Sequence, residues 1–156
     1  MEIRENDKGK LVAAITAVDY IKDGMSIGLG SGSTAALMVE YLSRQVSKTN
    51  SILGVPTSKE TAKLARRKGI MLTTLDNVKS LDLTIDGADE CDENYNLIKG
   101  GGAALLHEKI VAKASGKVII IADESKYVKK LGSFPLPVEV VKFGWLSSRA
   151  HIHSVL

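Results

Sequence analysis

Short apolar runs alternate with helical patterns along most of this 156-residue chain. The runs lack the strict polar–apolar alternation of strands that have one wet face, which indicates strands buried on both faces. Strands and helices that alternate in this way form a parallel sheet covered by helices. The sequence therefore predicts an α/β fold with helices on both faces of a parallel sheet. The five predicted strands are 25–29, 51–55, 71–75, 81–85 and 118–122.

Helical spacing predicts the elements between these strands. A first helix is expected over 8–22, and the GSGST turn opens a second one. Thr57 and Glu60 have the spacing of a capping box, which predicts the start of a third helix. That helix is expected to end just before Gly69, a residue type favoured past helix ends. A fourth helix is predicted over 103–115.

The organisation of the chain is expected to change after residue 131. The segment FPLPVEVV (134–141) carries two prolines followed by a predicted strand, and residues 146–156 have the pattern of the first turns of a helix. We therefore expect a first domain over 1–131 and the beginning of a second, truncated domain over 132–156.

Composition excludes several classes of protein. The formal charge of +3 is too mild to argue for a nucleic-acid or membrane partner. Aromatic residues make up 4% of the chain, too few for base-stacking platforms. The single cysteine, Cys91, excludes an internal disulfide framework. The first ten residues are charged and predict no signal peptide, so we expect a cytoplasmic protein.

Acidic residues are concentrated between Lys79 and Lys99, where there are six acids and no base. A solvated loop is one interpretation, and a carboxylate site is the other. The motif DGADE (86–90) directly follows a predicted strand, and both Asp86 and Asp89 can face one ligand. These carboxylates could accept hydrogen bonds from sugar hydroxyls, hold a divalent cation or form a solvated turn. The spacing leaves the three interpretations open.

The motif GLGSGST (28–34) is a glycine-rich turn between a predicted strand and a predicted helix. Backbone N–H groups and the helix dipole bind phosphate at such turns. The hydroxyls of Ser31, Ser33 and Thr34 would add donors. The turn is neither a dinucleotide fingerprint nor a P-loop, because its sixth position is Ser33 and no lysine precedes Ser or Thr. It predicts a phosphate site, with a plain tight turn as the alternative.

The motif KGGGAALLHEK (99–109) combines three glycines with two candidate reactive groups. Consecutive glycines suit a close approach of the backbone to a ligand, although a flexible loop has the same composition. Lys99 could balance a developing negative charge. In the helix that follows, Leu106, Ile110 and Ala114 predict the buried stripe. Glu108 lies roughly 200° away from that stripe and therefore faces solvent or a cleft, and spacing alone favours a solvated glutamate.

Two lysines are further candidates. Lys126 lies just past another predicted strand, and Lys10 lies in the first predicted helix. Either could reach an anion, while an ordinary surface lysine is the simpler interpretation.

Five motifs in register resemble the A-type ribose-5-phosphate isomerase family. They are GLGSGSTA (28–35), TIDGADE (84–90), LIKGGGAALLHEKI (97–110), IADESK (121–126) and LGSFPLPVEV (131–140). Each motif alone is weak, whereas five in the same order are highly specific. The resemblance extends from about residue 8 to about residue 143.

The resemblance implies a Rossmann-like α/β domain and a smaller ferredoxin-like α+β domain. It implies interconversion of ribose 5-phosphate and ribulose 5-phosphate without a metal or an organic cofactor. By resemblance, Glu108 is the base and Lys99 lies near the enediolate oxygen, while Asp86 and Asp89 act on the sugar hydroxyls and in ring opening. The other implied substrate-binding residues are Ser31, Gly32, Ser33, Thr34, Gly87, Ala88, Gly100, Gly101, Gly102, Lys126 and Lys10.

Three functional hypotheses follow. The preferred one is an active pentose-phosphate isomerase that assembles as a homodimer or homotetramer. Because family members continue well beyond the equivalent of Leu156, the second is a sugar-phosphate-binding module without turnover. The third is a metal-dependent enzyme built on the acids of 86–93.

Overall fold

A four-stranded parallel sheet is the centre of the computed structural model, which describes residues 7–46 and 51–155. Its strands are β1 (Ser26–Leu29), β2 (Leu53–Pro56), β3 (Leu83–Gly87) and β6 (Val118–Ile121). A short antiparallel pair, β4 (Glu90–Cys91) and β5 (Leu97–Ile98), follows β3. The order β2-β1-β3-β6 reverses direction between β1 and β3, and ligands bind beyond the carboxyl ends of strands at such a reversal.

Helices cover both faces of the sheet. They are α1 (Lys8–Val18), α2 (Gly32–Val46), α3 (Lys59–Arg67), α4 (Leu105–Lys113) and α5 (Trp145–Val155). The first three contact one another in series and bury the larger core with Ile27 and Ile85. A smaller cluster joins Val111 of α4 to Val55 and Leu81. The predicted α/β fold with a doubly covered parallel sheet is confirmed.

Successive residues of β1 point to opposite faces of the sheet and therefore toward different cores. Ile27 and Leu29 enter the larger core, while Gly28 faces α4. A Cβ at Gly28 would lie 2.6 Å from Cγ1 of Val111. Glycine at this position therefore allows α4 to approach the sheet closely, and the approach fixes which face of α4 is buried.

The third helix begins one residue later than predicted. Its N-cap is Ser58, whose hydroxyl accepts a hydrogen bond from the backbone N–H of Thr61 at 3.0 Å. The capping-box prediction on Thr57 and Glu60 is therefore wrong, because the Thr57 side chain turns inward instead. The predicted helix end is confirmed, since Gly69 has the left-handed φ of +76° that suits a residue after a helix.

Three further element predictions differ from the structure. The first helix ends at Val18 rather than at residue 22. The segment 71–75 forms an isolated bridge from Leu72 to Gly54 and then a 3-10 turn, so it is not a strand. The apolar run 118–122 predicts a strand buried on both faces, but β6 is an edge strand of the described sheet and Val118 is exposed. Its apolar side chains reflect burial on one face and not on two.

The segment after residue 131 lies mostly on the surface. No strand forms over 134–141, which contradicts the prediction, since the apolar run after the prolines pairs with no strand of the described residues. The predicted terminal helix is present as α5, and none of its described residues is buried. Within residues 7–46 and 51–155, no helix has the length and apolar character needed to cross a membrane.

Candidate active site

A polar cleft opens where the turns after β1, β3 and β5 meet. These turns are the three glycine-rich or aspartate-rich segments that the sequence singled out. The turns after β1 and β3 converge because parallel strands end at the same edge of a sheet, and the antiparallel pair β4–β5 brings the glycine loop to that edge. The residues that line the cleft are Ser31, Gly32, Ser33, Thr34, Gly87, Ala88, Asp89, Lys99, Gly100, Gly102, Glu108 and Lys126.

The turn after β1 presents the start of α2 to the cleft. Gly32 has a φ of +90°, a left-handed conformation that glycine adopts without a steric penalty. The helix α2 begins at this residue, so its first backbone N–H groups have no partner within the helix. Ser33 and Thr34 add side-chain hydroxyls beside them. This arrangement is suited to an anion.

Asp86 lies beneath the cleft and holds two of its walls together. Its side chain is nearly enclosed, with the residue 2% exposed. Oδ1 accepts hydrogen bonds from the N–H of Ser31 at 3.0 Å and from the N–H of Gly87 at 2.8 Å. Oδ2 lies 3.3 Å from Nζ of Lys99. Asp86 therefore contacts the glycine turn and the lysine, and it does not line the cleft beside Asp89 as the sequence suggested.

Gly30 makes this position of Asp86 possible. A Cβ at residue 30 would stand 2.5 Å from Cα and 2.6 Å from Cγ of Asp86, closer than any side chain tolerates. The end of β1 can pass directly over Asp86 because glycine has no side chain there.

Lys99 is held between an uncharged acceptor and two carboxylates. Its ammonium donates a hydrogen bond to the carbonyl of Gly87. The same nitrogen lies 3.1 Å from Oε2 of Glu108 and 3.3 Å from Oδ2 of Asp86. The contact with Glu108 is an ion pair, and its Oε2 is enclosed, with no hydrogen-bond partner among the described residues. Glu108 also lines the cleft, which places its carboxyl group beside a ligand bound there.

The buried face of α4 is the opposite of the one predicted. Glu108 is 7% exposed, whereas Leu106 and Ile110 are 57% and 50% exposed. The angular relationship inferred from the sequence is correct, because Glu108 lies opposite that pair of residues. The assignment of the apolar side to the core was wrong, because Val111 packs at Gly28 and turns the Glu108 side inward.

The environment of Glu108 favours its protonated form. Burial raises the pKa of the Glu108 carboxyl, and the negative charges of Asp86 and Asp89 raise it further. The Lys99 ammonium opposes both effects and lowers this pKa in part. A carboxylate with a raised pKa can accept a proton near neutral pH and give it back.

Asp89 also lines the cleft. Its Oδ2 accepts a hydrogen bond from the N–H of Gly101 at 2.8 Å. This bond draws the glycine loop against the turn after β3, and a Cβ at Gly101 would lie 2.9 Å from Asp89 Oδ1. Gly101 itself is placed behind Asp89 and outside the lining of the cleft.

Of the two lysines predicted to reach an anion, one lies at the cleft and the other does not. Lys126 lines the cleft. Lys10 does not, and its ammonium pairs with Asp7 at 3.1 Å on the first turn of α1. Hydrogen bonds from Ser125 lower the pKa of Asp123, which follows β6, and the charge of Lys10 adds a smaller effect in the same direction.

Sequence reasoning missed three buried polar residues around the cleft. Thr57 and Thr61 contact the turn after β1 from behind, and Glu90 follows Asp89. Glu90 accepts hydrogen bonds from the N–H of Gly132 at 2.6 Å and from both the N–H and the hydroxyl of Ser133. These bonds hold its pKa below the usual value. Nothing in the local spacing of the sequence indicated these long-range contacts.

The acids of 86–93 do not converge on a cation. Across the part of the chain that the structure describes, no group of three or more His, Cys, Asp or Glu side chains is arranged to hold a metal ion. Asp89 and Glu90 engage separate loops, through Gly101 and through Gly132 and Ser133.

The fold and the site together define an α/β protein in which a turn suited to an anion shares a cleft with a buried glutamate and a half-buried lysine. The sequence model of ribose 5-phosphate isomerase A (phosphoriboisomerase A) matches residues 53–156. The chain belongs to this family.

Curated relatives and solved structures of the family are similar to this chain. Ribose-5-phosphate isomerase A of Cereibacter sphaeroides is 58% identical, with 96% of this chain and 60% of that protein covered. The corresponding protein of Jannaschia is 56% identical, with 99% and 60% covered. The chain therefore spans about 60% of the length of these relatives.

The ribose 5-phosphate isomerase A structure from Methanocaldococcus jannaschii superposes with a TM-score of 0.92 at 41% identity, over 97% of this chain and 68% of that one. A D-ribose-5-phosphate isomerase in complex with phospho-erythronic acid superposes with a TM-score of 0.90 at 39% identity, over 98% and 67%.

Proposed function

We propose that this protein interconverts D-ribose 5-phosphate and D-ribulose 5-phosphate through an enediolate. The observation that carries the proposal is the buried carboxylate of Glu108, 3.1 Å from the ammonium of Lys99, in a cleft that also contains an anion-binding helix start. Family membership and the sugar-phosphate analogue in a related structure support it.

Glu108 is the proposed proton shuttle. Moving a carbonyl between C1 and C2 requires a base that removes the proton at C2 and returns it at C1. One carboxylate performs both steps if its pKa lies near the working pH, and burial moves the pKa of Glu108 in that direction. Glu108 lines the cleft, so its carboxylate is placed to reach the C1 and C2 protons of a bound sugar.

Lys99 is proposed to stabilise the enediolate. Removal of the C2 proton leaves negative charge on the C1 oxygen, and transfer of the C2 hydroxyl proton to that oxygen moves the charge to the C2 oxygen. A fixed ammonium lowers the energy of the charge in an enclosed site. Asp86 and the Gly87 carbonyl hold the ammonium in place before substrate arrives, so little reorganisation accompanies the reaction.

Asp89 is proposed to act on the sugar hydroxyls and to transfer protons during opening of the furanose ring, because its carboxylate lines the cleft. Asp86 is proposed as a positioning residue, since its oxygens contact Ser31, Gly87 and Lys99. The N–H groups at the start of α2, with Ser33, Thr34 and Lys126, are proposed to bind the phosphate. That binding energy positions the reacting carbons, which lie away from the phosphate.

The wider organisation of the protein is also proposed. We assign residues 1–131 to the catalytic domain and 132–156 to the beginning of a ferredoxin-like second domain.

Self-association as a homodimer or homotetramer agrees with the large apolar side chains exposed near Phe143 and Trp145. Light scattering on the purified chain tests this assembly, and a monomer at all concentrations would contradict it.

The first experiment measures ketopentose formation from ribose 5-phosphate, with and without a chelator, and binding of phospho-erythronic acid by calorimetry. The proposal expects turnover that is indifferent to chelator. Binding without turnover would instead identify a sugar-phosphate-binding module. Turnover that the chelator abolishes would instead support a metal-dependent enzyme.

A further inference from the structure

Ser31 lines the cleft, but its backbone N–H and its side-chain hydroxyl already have hydrogen-bond partners within the protein. Its backbone N–H donates to Oδ1 of Asp86 at 3.0 Å. Its side-chain oxygen lies 2.6 Å from the hydroxyl of Thr57, a distance at which one of the two hydroxyls donates to the other. The direction of this second bond decides what Ser31 can offer a ligand.

The surroundings of Thr57 favour one direction. The Thr57 hydroxyl lies 3.1 Å from the carbonyl oxygen of Leu29, which can only accept and which also accepts the Thr57 backbone N–H at 2.9 Å. A hydroxyl carries one proton, so a Thr57 hydroxyl that donates to Leu29 accepts from Ser31. Thr57 is 1% exposed, which leaves no room for water to provide another partner.

The same logic orders the neighbouring hydroxyls. Thr61 donates to the carbonyl of Gly30 at 2.9 Å and accepts from the hydroxyl of Ser58 at 2.9 Å. Two buried threonines from the start of α3 therefore hold consecutive carbonyls of the turn after β1. This turn is supported from behind by bonds of fixed direction, and it cannot readily reverse the Ser31 hydroxyl.

We propose that Thr57 orients the Ser31 hydroxyl so that Ser31 accepts a hydrogen bond from a sugar hydroxyl and does not donate one to the phosphate. With its proton given to Thr57, the Ser31 oxygen presents lone pairs to the cleft. A phosphate dianion offers acceptors and is poorly matched to such an oxygen, whereas a sugar hydroxyl is a donor. This corrects the expectation that the Ser31 hydroxyl adds a phosphate donor, and it rests on the proposed function.

The assignment makes Ser31 a specificity-determining residue and Thr57 its positioning residue. Together they favour polyhydroxylated phosphates over ligands that carry a phosphate alone. Ser33 and Thr34, whose hydroxyls also line the cleft, remain for the phosphate.

Calorimetry with two ligands tests the assignment on the whole 156-residue chain. Phospho-erythronic acid carries hydroxyls that inorganic phosphate lacks. Thr57→Val removes the acceptor and retains the shape of the side chain, so the Ser31 proton is no longer directed away from the cleft. We expect the Kd for phospho-erythronic acid to rise about 3- to 10-fold, the value of one hydrogen bond. The Kd for inorganic phosphate should stay within about 2-fold, less than one hydrogen bond.

Three variants separate orientation from structural damage. Thr57→Ser keeps the hydroxyl and should restore the Kd of the unmodified chain for both ligands. Ser31→Ala should reproduce the selective loss, and it keeps the comparison available if Thr57→Val fails to fold. The double variant should lose no more than either single one, because the two residues act as one unit. Thr16→Val is the matched control, since that exposed hydroxyl donates to Val12 within α1.

Equal weakening of both ligands in Thr57→Val and in Ser31→Ala would overturn the assignment, because Ser31 would then serve the phosphate or only the loop. A chain of native sequence that binds neither ligand would instead overturn the proposed function itself.

Discussion

The ammonium of Lys99 lies 3.1 Å from the carboxylate of Glu108, although the two residues project from opposite ends of the glycine loop. Gly100 and Ala103 between them have positive φ values of +103° and +54°, which bend the chain back sharply enough for the contact. The loop therefore brings the proposed base and the proposed electrostatic stabiliser into one site, and several predictions depend on this contact.

Replacement of Glu108 by glutamine is expected to remove turnover while the chain stays folded. Glutamine has nearly the same shape but cannot accept and return the proton. We expect kcat to fall by about 10²- to 10⁴-fold, the usual contribution of a general base. The loss should appear in kcat more than in binding of phospho-erythronic acid, and steady-state kinetics with calorimetry measures both.

Glu139→Gln is the matched control, because Glu139 is exposed on the segment after residue 131. Near-normal turnover in Glu108→Gln would assign the base to another group, with Asp89 the next candidate on geometric grounds.

The pH dependence of kcat/KM is expected to report Glu108. The base works as the carboxylate, so activity rises as the pH rises through the pKa of Glu108. Burial places that pKa above the ordinary glutamate value, and the acidic limb should lie correspondingly high. Lys99→Met removes the cation that lowers this pKa, so the limb should move to still higher pH.

The same Lys99→Met variant should lose about 10²- to 10³-fold in kcat through the missing stabilisation of the enediolate. Lys113→Met on the exposed side of α4 should change neither kcat nor the pH of the acidic limb. A limb that stays fixed or moves to lower pH in Lys99→Met would contradict the electrostatic role of the lysine.

Gly30→Ala is expected to destabilise the fold and distort the site. The added Cβ meets the backbone and carboxyl of Asp86, which cannot move without releasing Lys99. Overpacking of this kind costs about 1–3 kcal/mol in the free energy of unfolding. Urea denaturation measures the loss. Gly116→Ala, whose Cβ would have ordinary contacts of 3.5 Å, is the control, and equal stability of the two variants would refute the argument.

Glu90→Gln should lower stability at neutral pH, because the carboxylate accepts three hydrogen bonds from Gly132 and Ser133. The folded-state pKa of Glu90 is lowered, so its contribution is present above the unfolded-state pKa. The contribution is lost as the pH falls through the folded-state pKa. The difference in Tm between the parent chain and Glu90→Gln should therefore shrink on acidification. Glu93→Gln, an exposed neighbour, should show no such convergence.

Most of the sheet could be predicted from the sequence because buried parallel strands have a local signature. The convergence of the turns after β1 and β3 also followed from topology alone, whereas the approach of the glycine loop depends on the short antiparallel pair β4–β5, which was not predicted. The buried side of α4 could not be predicted, because it depends on Gly28, which is distant in sequence and admits Val111. The local apolar spacing predicted that Leu106 and Ile110 are buried, but both side chains are exposed in the structure.

Thr57 illustrates a different limit of sequence reasoning. Its spacing from Glu60 suited a helix cap, but a threonine at a strand end can also turn inward toward a backbone carbonyl. Ser58, the next residue, was available to cap α3, so Thr57 could bond to Leu29 and Ser31. Competition between adjacent hydroxyls is settled by tertiary contacts, which a local pattern does not contain.

The close passage of Gly30 over Asp86 restricts both positions for different reasons. Any side chain at 30 would lie 2.5 Å from the Cα of Asp86, and because that atom is backbone, no smaller residue at 86 relieves the clash. A smaller residue at 86 would in addition leave Lys99 without one of its carboxylates. Compensating double substitution is therefore closed to this pair: geometry holds position 30, and charge holds position 86.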